Sequence, residues 1–204
     1  MKLYHVITGL LRVNTYFLVN DKMQAVVIDC GENYKRVKST EQELGVKIEA
    51  VLLTHAHFDH AGSAKKLQDD GAKIYISELD ADKLTAEGSL SSNFGRKFEQ
   101  FTPDFTFSDG QTLNVLGINI DVIATPGHTN GSVTFKVDNA LFTGDTLFYD
   151  SVGRTDFPTG SREDMIRSVK KLFALSGDYQ VYPGHDEFTT LGRERKYNVM
   201  AEYD

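Results

Sequence analysis

Thr54-His55-Ala56-His57-Phe58-Asp59-His60 is the stretch on which the reading of this chain turns. Three imidazoles and a carboxylate fall within six residues, directly after an apolar, strand-like run from Ile48 to Thr54. Neither packing nor solubility accounts for such a cluster. Alternate residues on an extended segment point to the same side, so His55 and His57 are expected to face one centre. Asp59 and His60 follow where a helix should begin and point elsewhere, which suits a second cation a few ångströms away.

Five of the six histidines belong to one pattern. His128 lies in Thr125-Pro126-Gly127-His128-Thr129, and His185 in Tyr182-Pro183-Gly184-His185-Asp186. Asp145 lies in Thr143-Gly144-Asp145-Thr146. Each follows a strand-like run and a glycine, which lets the backbone turn sharply. All could therefore meet on one rim, at the same end of their strands. Singly, each has an ordinary use: Asp59 as a helix N-cap, Asp145 as a turn residue, the histidines as solvated groups. Together with the cluster they point to metal. His5 fits no part of the pattern and is read as structural.

The rest of the chain reads as alternating strands and helices. Leu3 to Thr8, Asn14 to Val19 and Gln24 to Asp29 are strand-like. A helix is expected over Tyr34 to Leu44, stopped by Gly45. After the cluster come a helix over Ala61 to Asp70, a strand over Lys73 to Ile76 and a short helix over Glu78 to Thr85. Thr112 to Val115, Ile118 to Ala124, Ser132 to Val137 and Ala140 to Thr143 form a second set of strands. A helix over Arg162 to Ala174, a strand over Gln180 to Tyr182 and a helix from about Glu187 close the chain. Strands followed by helices in each half suggest an α+β four-layer αββα sandwich, two mixed sheets with helices on the outer faces. Gly88 to Gly110 is irregular, with phenylalanines that either pin it to the core or form a wall of a pocket.

Composition sets outer bounds. At 204 residues the chain is long enough for one sizeable core and short for two, so a single domain over 1–204 is expected, as a monomer or small homo-oligomer. A net charge of −7 argues against a nucleic-acid partner. Cys30 is the only cysteine, which excludes an intrachain disulfide, and it is read as a small buried residue at a strand end. No stretch approaches eighteen apolar residues, and the N-terminus carries no apolar signal core. The expectation is a soluble, cytoplasmic protein with no membrane partner.

On these motifs the chain resembles the metallo-β-lactamase-fold hydrolases. His55-x-His57-x-Asp59-His60 matches their signature, and His128, Asp145 and His185 match the later ligand motifs in order. Asp29 in Val27-Ile28-Asp29-Cys30-Gly31 matches an early strand-end aspartate that supports the site. Gly153-Arg154-Thr155-Asp156-Phe157-Pro158 and Thr190-Leu191-Gly192-x-Glu194-Arg195 bring it nearest to the short bacterial glyoxalase II type. The resemblance implies that His55, His57 and His128 hold one metal ion. Asp59, His60 and His185 hold the other, and Asp145 bridges both. Asp29 and Thr54 would fix the imidazoles from behind. Asp59 and Asp145 are the candidate catalytic carboxylates, and Arg154 and Phe148 the candidate substrate contacts. For Arg154 an ion pair with Asp156 or Glu163 is an equal alternative.

Nitrogen and carboxylate donors suit two zinc ions, and accept iron or manganese. Two such ions about 3.5–4 Å apart supply hydroxide at neutral pH and polarise a carbonyl. The implied activity is hydrolysis of a small-molecule 2-hydroxyacyl thioester resembling S-lactoylglutathione. The alternatives are a mononuclear-iron persulfide dioxygenase using His55, His128 and Asp145, and a metal-stabilised scaffold. Many β-lactamases of this fold place cysteine where Asp145 stands, which argues against lactam hydrolysis. Two departures are visible: only about twenty residues follow His185, without the helical glutathione-binding extension of full-length glyoxalase II, and Tyr197-Asn198-Val199 stands where Asn-Pro is usual.

Overall fold

The computed structural model describes residues 1–202. In chain order the strands and helices are β1 (Lys2–Thr8), β2 (Val13–Val19), β3 (Gln24–Ile28), α1 (Tyr34–Leu44), β4 (Lys47–Leu52), α2 (Phe58–Ala61), α3 (Ala64–Asp69) and β5 (Lys73–Ser77). There follow β6 (Phe105–Phe107), β7 (Thr112–Val115), β8 (Ile118–Ala124), β9 (Val133–Val137), β10 (Ala140–Gly144), β11 (Leu147–Phe148) and β12 (Ser151–Val152). The chain ends with α4 (Arg162–Phe173), β13 (Gln180–Pro183), β14 (Thr189–Thr190) and α5 (Leu191–Tyr197). Two six-stranded mixed sheets result, ordered β1-β2-β3-β4-β5-β6 and β14-β13-β10-β9-β8-β7. This is the four-layer αββα sandwich that the sequence predicts.

Side-chain alternation builds the layers. On β3, Val26 and Ile28 face the second sheet, while Ala25 and Val27 face the helices. On β4, Ala50 and Leu52 face inward and Val51 outward, as does Leu53 just after the strand. These strands are buried on both faces, which is why they read as continuous apolar runs. Against Tyr16, Leu18, Leu52 and Phe107 the second sheet packs Ile120, Val122, Phe135 and Phe142. Val37 on α1 and Leu67 on α3 cover the outer face of the first sheet. Met165, Val169 and Leu172 on α4, with Leu191 on α5, cover the second.

Local signals set the helix ends. Asn33 caps α1 through its side chain, and Gly45 ends it in the left-handed conformation. Ser161 and Thr190 cap α4 and α5 in the same way. No helix among the described residues is long and apolar enough to cross a membrane.

Several expected elements differ. The helix over Ala61 to Asp70 is two pieces, α2 and α3, and it begins earlier, at Phe58. It breaks where the Ser63 amide donates to Gly31 O at 2.7 Å and Gly62 lies against Glu32. The helix over Glu78 to Thr85 shrinks to a 3-10 turn, Ala81–Lys83, because Asp80 is buried and spends its carboxylate on other segments. The last helix starts at Leu191 rather than Glu187, after the short strand β14. The strand before the histidines ends at Leu52 rather than Thr54. Gly88 to Gly110 holds a strand the sequence did not reveal, β6, which adds in parallel to β5. Its phenylalanines divide the two readings: Phe101 and Phe107 are buried in the core, whereas Phe94 lines a cavity.

Phe135 is wholly buried between the sheets. Phe135→Ala is therefore expected to lower the unfolding free energy by about 3–5 kcal/mol, measured by urea denaturation.

Candidate metal centre

The site sits where strands of both sheets end. From β3 comes Asp29, from β4 the segment 54–60, from β10 Asp145 and from β13 His185. His128 comes from the turn between β8 and β9. The structure brings all seven candidate ligands together. Ring nitrogens of His55, His57 and His128 form one compact set. Asp59, His60 and His185 form another, and Asp145 joins His55 and His60 in a third. Within each set the donor atoms lie within 4.8 Å of one another.

Distances define the cradle. His57 Nδ1 lies 2.8 Å from His128 Nε2, and His60 Nε2 lies 3.3 Å from His185 Nε2. One Asp145 oxygen is 3.2 Å from His60 Nε2, and the other is 3.4 Å from His128 Nε2. Asp59 Oδ2 is 3.3 Å from His185 Nε2. Asp145 thus stands between the two histidine sets, at the place a bridging carboxylate needs.

The outward-facing nitrogens fix the imidazoles. His60 Nδ1 donates to Asp29 Oδ2 at 2.8 Å. Thr54 Oγ1 donates to the same oxygen at 2.8 Å, and so accepts from His55 Nδ1 at 3.1 Å. His128 Nδ1 donates to Arg154 O at 2.8 Å, and His185 Nδ1 to Leu11 O at 3.0 Å. Each bond holds the proton on Nδ1 and leaves the Nε2 lone pair aimed at the centre. Asp29 has a left-handed backbone, φ 52°, rare for a residue with a side chain but tolerated by aspartate.

Two buried atoms test whether this donor set fits cations. His55 Nε2 and Asp145 Oδ1 have no hydrogen-bond partner, although buried polar atoms are normally satisfied. Asp145 Oδ1 is near His60 Nε2, but without hydrogen-bond geometry. Lone pairs pointing at lone pairs inside a buried pocket are what divalent cations satisfy. Imidazole nitrogens and carboxylates in this number fit two such ions.

The electrostatics separate the two histidine sets. Burial, then the neighbouring imidazoles, push His55 well below its usual range. Burial and His128 push His57 down to about 3. His60 is also disfavoured by burial, but Asp145, Asp59 and Asp29 outweigh it and hold its pKa well above the ordinary value. His185 is raised in the same sense: burial opposes, and Asp59 and Asp145 prevail. Burial pushes Asp145 up, yet His60, His128 and His185 hold it well below the usual carboxylate range.

A cavity of about 460 Å³ opens onto this cluster, with apolar walls at Leu90, Phe94, Phe148 and Phe157. Phe148, one of the expected substrate contacts, is among the residues that line it. Arg154 also lines the cavity, but its guanidinium is committed: it donates twice to Asp156, at 2.7 and 2.6 Å, and lies 4.0 Å over the Phe157 ring. The ion-pair alternative for Arg154 holds. His5 bonds Asn14 at 2.8 Å and packs on Phe188, outside the cluster. Cys30 is buried, and burial raises its thiol pKa. Asp80 is a buried carboxylate at the site's edge that the sequence reading passed over. No motif marked it; only the β5 end beside the histidine strand could have drawn attention to it.

The fold and this cluster define a class, confirmed by comparison with known proteins. The metallo-beta-lactamase superfamily model matches residues 8–185, and the chain belongs to that superfamily. It is 36% identical over 193 residues to hydroxyacylglutathione hydrolase GloC of Haemophilus influenzae, covering 91% of each chain. Among solved structures it is similar to the BLEG-1 B3 metallo-beta-lactamase, with TM-score 0.93 and 29% identity over 98% of this chain and 100% of that one. It is also similar to TTHA1623 in a di-iron-bound form, with TM-score 0.86 and 32% identity over 96% and 98%.

Two outcomes follow from the geometry. A methyl group at residue 184 would lie 2.4 Å from Asp145 Oδ1 and 2.7 Å from His60 Cε1. Gly184→Ala should lower metal affinity at least tenfold by chelator competition, with circular dichroism unchanged. Acidification should act unequally. His60 and His185 have raised pKa values and must each lose a proton to bind a cation, so affinity falls as pH drops through those values. His55 and His57 are already neutral there. In stepwise dialysis to lower pH with metal analysis, an ion held by Asp59, His60 and His185 should be released before one held by His55, His57 and His128.

Proposed function

We propose that this protein is a dinuclear metal-dependent hydrolase acting on a 2-hydroxyacyl thioester of the S-lactoylglutathione kind. The observation that carries the reading is Asp145. Its two oxygens reach toward His60 on one side and His128 on the other, so a single carboxylate serves both histidine sets. His55, His57 and His128 would hold one ion, and Asp59, His60 and His185 the other. Bound divalent ions supply the Lewis acidity that ionises water near neutral pH and polarises a carbonyl oxygen. Zinc suits these donors best, and the di-iron form of a similar protein keeps iron in view.

The chain's own groups do the remaining work. Asp29, through Thr54 and His60, keeps the imidazole lone pairs facing inward. Asp59 stays ionised beside His60 and His185, and so can orient a water molecule as well as hold a cation. Phe94, Phe148 and Phe157 give the cavity a dry wall for the acyl group and sulfur. No side-chain nucleophile is needed. Cys30 is buried, with its thiol pKa raised, so it does not supply one.

The 36% identity to hydroxyacylglutathione hydrolase GloC supports the thioester choice. The similarity to the BLEG-1 B3 metallo-beta-lactamase keeps lactams among the substrates to be tried. The dioxygenase alternative needs only His55, His128 and Asp145. It leaves the compact Asp59–His60–His185 set without a purpose, which favours the hydrolase.

Purified protein loaded with zinc should bind two ions per chain and cleave S-lactoylglutathione faster than lactones or β-lactams. Chelation should abolish turnover. A fully loaded protein that leaves the thioester intact would refute this function. A single tightly bound iron, with oxygen consumed in the presence of glutathione persulfide, would decide for the dioxygenase.

A further inference from the structure

We propose that Asp80 is a positioning residue for one half of the centre, fixing the His55–His57–His128 set as Asp29 fixes His60. The inference rests on the dinuclear reading above. It starts from the order of strands. β4, which leads into the histidine segment, lies between β3 and β5, and both pair with it in parallel. Each neighbour ends close to a buried aspartate: Asp29 follows β3, and Asp80 follows β5.

The two carboxylates hold the histidine segment from opposite sides. Asp29 Oδ1 accepts from the Thr54 amide at 2.8 Å, just before His55. Asp80 Oδ2 accepts from the Ala56 amide at 3.0 Å, between His55 and His57. The same Asp80 oxygen accepts from Thr129 Oγ1 at 2.9 Å, next to His128. One oxygen therefore ties together the two segments that carry all three histidines of the set. Among the described residues no hydrogen bond links Asp80 to Asp59, His60 or His185.

Its surroundings are built for this task. Asp80 is 0% exposed. With its proton given to Asp80, Thr129 Oγ1 accepts from Ser132 Oγ at 2.8 Å, and Ser132 Oγ in turn accepts from the Thr129 amide at 3.0 Å. This closed circuit leaves the loop after His128 little freedom. Gly131 makes room for the carboxylate: a Cβ there would lie 2.3 Å from Asp80 Oδ1. Lys83 Nζ approaches that oxygen to 3.0 Å and balances its charge, although Oδ1 itself has no hydrogen bond. A buried carboxylate is costly unless paired and hydrogen-bonded. Here the carboxylate is committed to the Ala56 amide and the Thr129 hydroxyl, each beside a histidine of the set.

The test is a zinc titration of the full chain against a chromophoric chelator, which resolves the two affinities. Asp80→Ala should weaken one ion by roughly 10–100-fold, the range seen when the partners behind metal ligands are removed, and leave the other unchanged. Added to His57→Ala, it should have little further effect. Added to His185→Ala, it should loosen the ion that remains. The melting temperature of the metal-free protein reports general damage. Should Asp80→Ala fail to fold, Thr129→Val removes one of the two bonds and should give a smaller loss at the same ion. Two affinities that are both unchanged, or that fall together, would overturn the role of Asp80. Wild-type protein that takes up fewer than two ions would overturn the dinuclear reading itself.

Discussion

Lone pairs that face one another in a buried pocket are the constraint around which this molecule is arranged. His55 Nε2 and Asp145 Oδ1 have no hydrogen-bond partner among the described residues, and the Nε2 atoms of His60 and His128 lie 3.2 and 3.4 Å from the Asp145 carboxylate. Protonating all five imidazoles would set like charges against each other. A divalent cation would satisfy these lone pairs. The cost of gathering these groups before a cation arrives is carried by the rest of the fold. The carboxylates of Asp29 and Asp80, and the carbonyls of Leu11 and Arg154, hold the imidazoles or their backbone from behind.

The sandwich makes this preorganisation possible. Neither sheet contains the site alone: Asp29 and the histidine segment come from the first sheet, and Asp145, His128 and His185 from the second. Their distances are set by the apolar layer between the sheets, in which Leu52, Phe107, Phe135 and Phe142 are buried. Such layers pack at near-crystalline density and transmit displacements rather than absorbing them. Close approach at the rim is equally strict. Gly144, at φ 47°, lies against Thr54, leaving no room for a side chain.

Much of this could be read in the sequence, for identifiable reasons. The apolar runs of β3 and β4 marked them as strands; that they pair in parallel came only with the structure. The histidine cluster specified a metal site because its spacing has no competing structural use. Glycines before His128, Asp145 and His185 marked the turns that bring them to the rim. What escaped was encoded in tertiary contacts. Phe105–Phe107 is too short to announce itself as a strand and forms because β5 offers an open edge. Residues 78–85 have a helical pattern but fold as a short turn, since burying Asp80 against Ala56 and Thr129 overrides local preference. For Arg154 the sequence left a substrate contact and an ion pair with Asp156 or Glu163 both open; the structure shows the pair with Asp156, and adds the Phe157 ring beneath the guanidinium.

The central claim is that one carboxylate, Asp145, serves two cations held by separate histidine sets. Anomalous diffraction from crystals of the zinc-loaded protein tests it most directly. The account predicts two peaks, one among His55, His57 and His128, the other among Asp59, His60 and His185, with Asp145 in contact with both. A single peak, or two peaks with Asp145 touching neither, would contradict it.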